Sequence, residues 1–266
     1  YRLYQYEINL TKDSVQKKSL QMQAAFVAEE YLESPDKAMS LYEAVLSSHP
    51  DDLLAIKKLV PLYHQKQKFR ELIEISQREA DKMYDPQKKA RIFERIAKTS
   101  ESELKDFAKA ELFYTKVLEL VPTANHIFQN LGRIYHFTKQ YAKLRDLYLQ
   151  EAEIEEDADT SLMCYFKAAE ISENHLDNVE KAAQIYQQIL EQNPTYELAI
   201  KAYAKLLHKQ KEFAKLALLF SREAEHTSNS IRAGQLYVQA ARIYFDLLND
   251  KESSKKFYTL AINTHP

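Results

Sequence analysis

Apolar residues recur at helical spacing in four blocks of every repeating period, seen first at 18–33, 35–47, 51–66 and 69–83. Spacings of three and four put the apolar side chains of each block on one face of an α-helix. The boundaries between blocks are equally periodic. Ser34, Asp106, Asn178 and Asp250 precede the second helix of successive copies, and each side chain can accept a hydrogen bond from a free N–H of the first turn. Before the third helix, Pro50-Asp51, Pro122-Thr123 and Pro194-Thr195 join a residue that ends one helix to one that caps the next. Each period is therefore expected to fold as two helical hairpins.

The register is strict. Pro50, Pro122, Pro194 and Pro266 fall at equal intervals, and Ala38, Ala110, Ala182 and Ser254 stand twelve positions before them. Tyr42, Tyr114, Tyr186 and Tyr258 stand eight before, and Leu46, Leu118, Leu190 and Ile262 four before. Self-similarity at a fixed period marks a solenoid, whose units bury their apolar faces against their neighbours. The pattern predicts one array over 1–266, with hairpins at 17–50, 51–86, 87–122, 123–158, 159–194, 195–230 and 231–266. Leu3 and Glu7 share a register with Ile75 and Glu79, so 1–16 are expected to close a preceding repeat of a longer array. Ala25, Ala97, Ala169 and Ala241 recur in the first helix, where small side chains let helix axes approach. The tyrosines are expected to fill the space between hairpins as core. Pro61 falls inside a third helix where later copies have Arg133 and Lys205, which predicts a bend near 57–61.

Composition narrows the function. Two glycines and 45% apolar residues suit a continuous helical core and not a turn-rich β fold, so the fold class is all-α. A formal charge of −2 gives no dense basic field, so nucleic acid is not an expected partner. Cys164 is the only cysteine, which excludes an intrachain disulfide and leans toward a cytoplasmic location. No apolar run reaches the ~18–20 residues of a membrane helix, so no membrane insertion is expected. The sequence has no Gly-rich phosphate loop, no G-x-S-x-G, no H-E-x-x-H and no paired-cysteine metal motif. Cys164 lies in an apolar run that reads as core. No enzymatic activity, cofactor or metal is expected.

The phrase Ala110-x-x-x-Tyr114-x-x-Val117-x-x-x-x-Pro122 resembles the second helix of a tetratricopeptide (TPR) repeat, and the resemblance runs along the whole sequence. First helices resemble the family less: its Trp is absent, and its Leu-Gly pair survives only as Leu131-Gly132, followed by Tyr135. The irregular repeat length is similar to half-a-TPR repeats of RNA-processing factors, whose tryptophans are also missing here. The resemblance implies a right-handed α-solenoid of stacked antiparallel helix pairs that binds a protein or peptide on its concave face. It further implies that the residues four places after Ala25, Val60, Ala97, Gly132, Ala169, Ala204 and Ala241 face the groove. Those are Glu29, His64, Glu101, His136, Glu173, His208 and Phe245, an alternation of acid and histidine. Successive histidines about 20 Å apart exclude a shared metal ion. The ladder reads either as solvated charge or as a pH-responsive groove. Lys57, Lys58, Arg91, Arg95, Lys98, Arg133, Lys201 and Lys205 make the groove more basic than the average of the sequence. The candidate partner-binding residues are Lys57, His64, Arg95, Lys98, Asn130, Arg133, His136, Lys201, Lys205 and His208, suited to an acidic segment. The leading expectation is a non-catalytic interaction scaffold. A spacer that self-associates through uncapped ends is the alternative, and an RNA-processing repeat ranks third.

Overall fold

The structure is a computed structural model that describes residues 1–264. All regular structure in these residues is helical. It divides into two compact units, Tyr1–Ile134 and a second from Tyr135 onward. The first unit holds α1 (Arg2–Leu10), α2 (Ser14–Glu30), α3 (Pro35–Ser48), α4 (Leu53–Gln65), α5 (Phe69–Asp81), α6 (Pro86–Ser102) and α7 (Phe107–Leu120). Helix α8 (Asn125–Phe137) contains the boundary between units. The second unit continues with α9 (Tyr141–Ile154), α10 (Ala158–Asn174), α11 (Val179–Gln192), α12 (Glu197–Lys209) and α13 (Phe213–His226). It closes with α14 (Ser230–Arg242), a π-helical extension Ile243–Leu247, and α15 (Lys251–Thr264). Within each unit helices pack on their sequence neighbours, α1 on α2 through α6 on α7, and α9 on α10 through α14 on α15. This nearest-neighbour packing is solenoid-like.

The periodic small residues are where the helices meet. Ala25, Ala97, Ala169, Ala241, Ala38, Ala110 and Ala182 are fully buried, with Ser254 nearly so. Tyr42, Tyr114 and Tyr186 are among the largest fully buried side chains, as expected of core. Tyr258 departs from the pattern and is 38% exposed. It lies on α15, and no later helix among the described residues covers it. Pro266, the fourth proline of the register, lies outside the described residues.

The second-helix caps hold for Asp106, Asn178 and Asp250, whose side chains accept from the N–H groups of Lys109, Lys181 and Ser253. Ser34 makes no such bond; Pro35 occupies the first turn there. The third-helix caps need correcting. Asp52 caps α4 by accepting from Ala55, while Asp51 pairs with Lys82 at 2.9 Å. Thr195 donates to Asn193, and α12 starts after Tyr196 without a side-chain cap. A stronger series precedes the first helices, where Asp13, Asp85, Asp157 and Asn229 all accept from first-turn N–H groups. Between the helices of each hairpin one residue takes the left-handed conformation: Glu33, Lys105, Asp177 and Asn249, and Gln67, Lys139 and Lys211. None is glycine. These residues turn the backbone so that the following N–H reaches back to the preceding helix, as Ser34 does to Ala28 and Asp106 to Ser100. Helix α4 runs through Pro61 to Gln65.

Candidate functional site

First and third helices carry the expected groove residues, on α2, α4, α6 and α8 to Ile134 in one unit and on the end of α8, α10, α12 and α14 with its π-helical extension in the other. The glutamates among them serve the core. Tyr42, Tyr114 and Tyr186 donate their hydroxyls to Glu29, Glu101 and Glu173 at 3.1, 3.0 and 3.2 Å. A buried phenol needs such an acceptor. Burial first, and the adjacent carboxylate second, push these tyrosines above the ordinary phenol range. In the fourth copy Phe245 occupies the glutamate position, and Tyr258, the tyrosine of that copy, is the exposed one.

The same glutamates take up neighbouring cations. Lys58 Nζ donates to Glu29 at 3.1 Å. Arg133 reaches Glu101 through Nε at 3.1 Å and Nη2 at 2.6 Å, and Asn130 Oδ1 at 3.4 Å. Lys98 and His126 both pair with Glu94, at 2.6 and 3.2 Å. Ion pairs therefore lace α2 to α4 and α6 to α8. Arg95 turns to the adjoining fourth helix, donating to Glu79 at 2.5 Å and Ser76 at 3.2 Å. Among the described residues, His64, His136 and His208 form no ion pair with the ladder glutamates Glu29, Glu101 and Glu173. His64, His136 and His208 stand edge-on to Phe69, Tyr141 and Phe213, with centroids 6.3, 6.4 and 5.8 Å apart. Lys201 pairs with Glu197 at 2.5 Å. Lys57, Lys205 and Lys209 are exposed and form no ion pair among the described residues.

Two features escaped the sequence reading. Met22, Phe26, Val27 and Leu54, with Tyr4 and Lys58, line a cavity of about 510 Å³ on the α2–α4 step. One period on, Met22, Phe26 and Leu54 become Glu94, Lys98 and His126, which hold one another by ion pairs. The apolar triplet was visible as a break in that register. The second feature is the set of partners taken by the carboxylate that recurs in register on the fourth helices, which differ each time. Glu79 meets Arg95, Glu223 is held by Arg232 Nε and Nη2 at 3.0 and 2.5 Å, and Glu151 meets the buried thiol of Cys164. Burial, its largest influence, raises the Glu151 carboxyl, and burial also pushes the Cys164 thiol up to about 11. Such a thiol is a poor nucleophile.

The tetratricopeptide repeat sequence profile matches residues 163–196. These residues cover most of α10, all of α11 and the turn beyond, and the repeat register sets equivalent helix pairs at 19–52 and 91–124. This is a TPR-like helical repeat protein. No curated protein sequence matches it. Among solved structures, a tetratricopeptide repeat protein from Parabacteroides merdae ATCC 43184 is 14% identical, with 94% of each of the two sequences covered and a TM-score of 0.39. In the structure of Naa15/Naa10 bound to HypK-THB, one polypeptide is 13% identical over 93% of this sequence and 39% of its own length, with a TM-score of 0.47. The P58(IPK) TPR domain is 13% identical over 86% of this sequence and 66% of its own, with a TM-score of 0.40. TPR-like proteins are in general non-catalytic protein-interaction scaffolds. No described helix of this TPR-like protein is long and apolar enough to cross a membrane.

Proposed function

We propose that this protein is a non-catalytic scaffold that binds a partner protein or peptide, of acidic character, on the groove faces of its first and third helices. The observation that carries the reading is α12. Leu198, Lys201, Lys205 and Lys209 recur at spacings of three and four, on one helical face. Leu198 is 43% exposed, and Lys205 and Lys209 have no internal carboxylate to neutralise them among the described residues. An apolar contact beside uncommitted ammonium groups suits a carboxylate-bearing segment. Arg95, Lys98 and Arg133 are engaged within the protein, and Lys57 and Lys205 are the candidate residues most available to a partner.

The test is an array of immobilised peptides graded in Asp and Glu content, probed with the wild type and with K205E/K209E. Acidic peptides should be retained by the wild type and lost by about tenfold or more in the variant, whereas K98Q should leave binding unchanged. Equal retention by wild type and K205E/K209E removes the reading. Self-association through the ends is a second reading, favoured by Leu3 at 78% and Ile262 at 65% exposure, where their register counterparts Ile75 and Leu46 are buried. Sedimentation equilibrium showing a mass independent of concentration excludes it.

A further inference from the structure

A cavity of about 310 Å³ lies on the other side of the second unit, between the second helix α11 and the fourth helix α13, with Tyr203 of α12 at its floor. Leu190, Pro194, Leu218 and Leu219 supply its apolar wall. Gln187 Nε2 donates to the Tyr203 hydroxyl at 2.7 Å, and this bond fixes the floor. The volume is that of a small-ligand site.

The equivalent notch in the first unit, two periods earlier, shows what is special here. There Arg78 Nη2 donates to the carbonyl of Pro50, Tyr63 donates to Glu43 at 2.9 Å, and Lys82 pairs with Asp51 at 2.9 Å. The notch is spanned by its own side chains. In the second unit, Glu43, Glu71 and Glu74 are replaced by Gln187, Lys215 and Leu218, so three carboxylates are gone. Ser47 and Lys82 become Glu191 and His226, a smaller change in the opposite direction. Arg222, the counterpart of Arg78, makes no side-chain hydrogen bond or ion pair among the described residues, and no hydrogen bond reaches the Pro194 carbonyl there. Leu218 is 49% exposed at a place where the first unit has an acid. An aliphatic wall, an aromatic floor and an unengaged guanidinium thus meet in one cavity.

We infer that this cavity binds a small organic carboxylate with a compact apolar body, the carboxylate on Arg222 and the body against Leu190, Leu218 and Tyr203. A guanidinium donates two parallel hydrogen bonds to such a group. Beyond Arg222 the lining carries Glu191 and Glu225 against Lys215, with His226 beside them, and this excess of negative charge disfavours a ligand with several carboxylates, so a monocarboxylate is specified. The site is separate from the groove faces and does not depend on the scaffold reading.

The experiment is an NMR titration of the whole protein with N-acetyl-L-phenylalanine, its carboxamide, and 3-phenylpropanoate. The acid should shift the amides of Leu190, Leu218 and Arg222 and bind about tenfold more tightly than the carboxamide, the usual weight of one charge-assisted contact. In R222Q the acid should fall to the carboxamide's affinity, and L218E, which restores the first unit's acid, should abolish binding of both. Tighter binding of N-acetyl-L-phenylalanine than of 3-phenylpropanoate assigns the site to the terminal carboxylate of a peptide; equal binding assigns it to a free acid. Either supports the site. No shift with any probe, or equal affinity for acid and carboxamide, overturns it.

Discussion

Lys105 and Lys211 hold φ at 54° and 59°, a region where a Cβ crowds the neighbouring carbonyl. The backbone bends at these positions without the glycine that usually relieves that crowding. Replacing either exposed lysine by glycine should raise stability by about 0.5–1 kcal/mol, the relief of strain less the extra freedom gained by the unfolded state. Chemical denaturation of K105G and K211G measures it. Glu151 makes a second prediction. Its folded pKa is raised by burial, so the folded state binds its proton more tightly than the unfolded state does. This contribution to stability is present at low pH and is lost as pH rises from about 4.3, the unfolded value, through the raised folded one. E151Q should therefore gain stability relative to wild type as pH rises from about 4.3 through the raised folded pKa, with a constant difference above it. The Cys164 thiol, raised to about 11, should react with a disulfide reagent at mild alkaline pH only as fast as the surrounding helices open.

Among the elements, α4 is the one that breaks a local rule. Pro61 removes a backbone donor in mid-helix, and P61A should stabilise the protein by about 1–3 kcal/mol in thermal or urea unfolding. The copies suggest how the sequence compensates, since Arg133 pairs with Glu101 in one, and where Pro61 takes that place Lys58, one turn earlier, pairs with Glu29. The all-helical, neighbour-packed fold and its contact positions were legible because alanines and tyrosines recur in fixed register and burial follows helical period. The groove's electrostatics were not. Helical spacing names the face on which a residue starts, but a long side chain selects among partners on adjoining helices, as Arg95 selects Glu79 on α5. Spacing leaves the glutamate ladder open between solvated charge and a pH-responsive groove, because nothing in spacing alone shows that the hydroxyl of a tyrosine on the next helix ends beside each carboxylate. The caps before the first helices, Asp13, Asp85, Asp157 and Asn229, recur at the same period although they escaped the sequence reading, and they mark helix starts more firmly than the prolines do.

For the molecule as a whole, packing between sequence neighbours means that damage should stay local. Ala169 is fully buried against adjoining helices, and A169L overpacks that contact at a cost of about 1–3 kcal/mol. Hydrogen exchange should speed up in α9, α10 and α11 while α14 keeps its protection; uniform acceleration across the second unit would show that it opens as one block. The pairing of Glu29 with Lys58 of the next hairpin, matched by that of Glu101 with Arg133, also fixes the step by which such an array grows. A tandem duplication of one full period gives every new glutamate of this kind its cation. One of the hairpin 17–50 alone sets Gln23 where Lys58 stood and leaves Glu29 without its cation. Lineages that lengthen or shorten this gene should therefore step in pairs of hairpins.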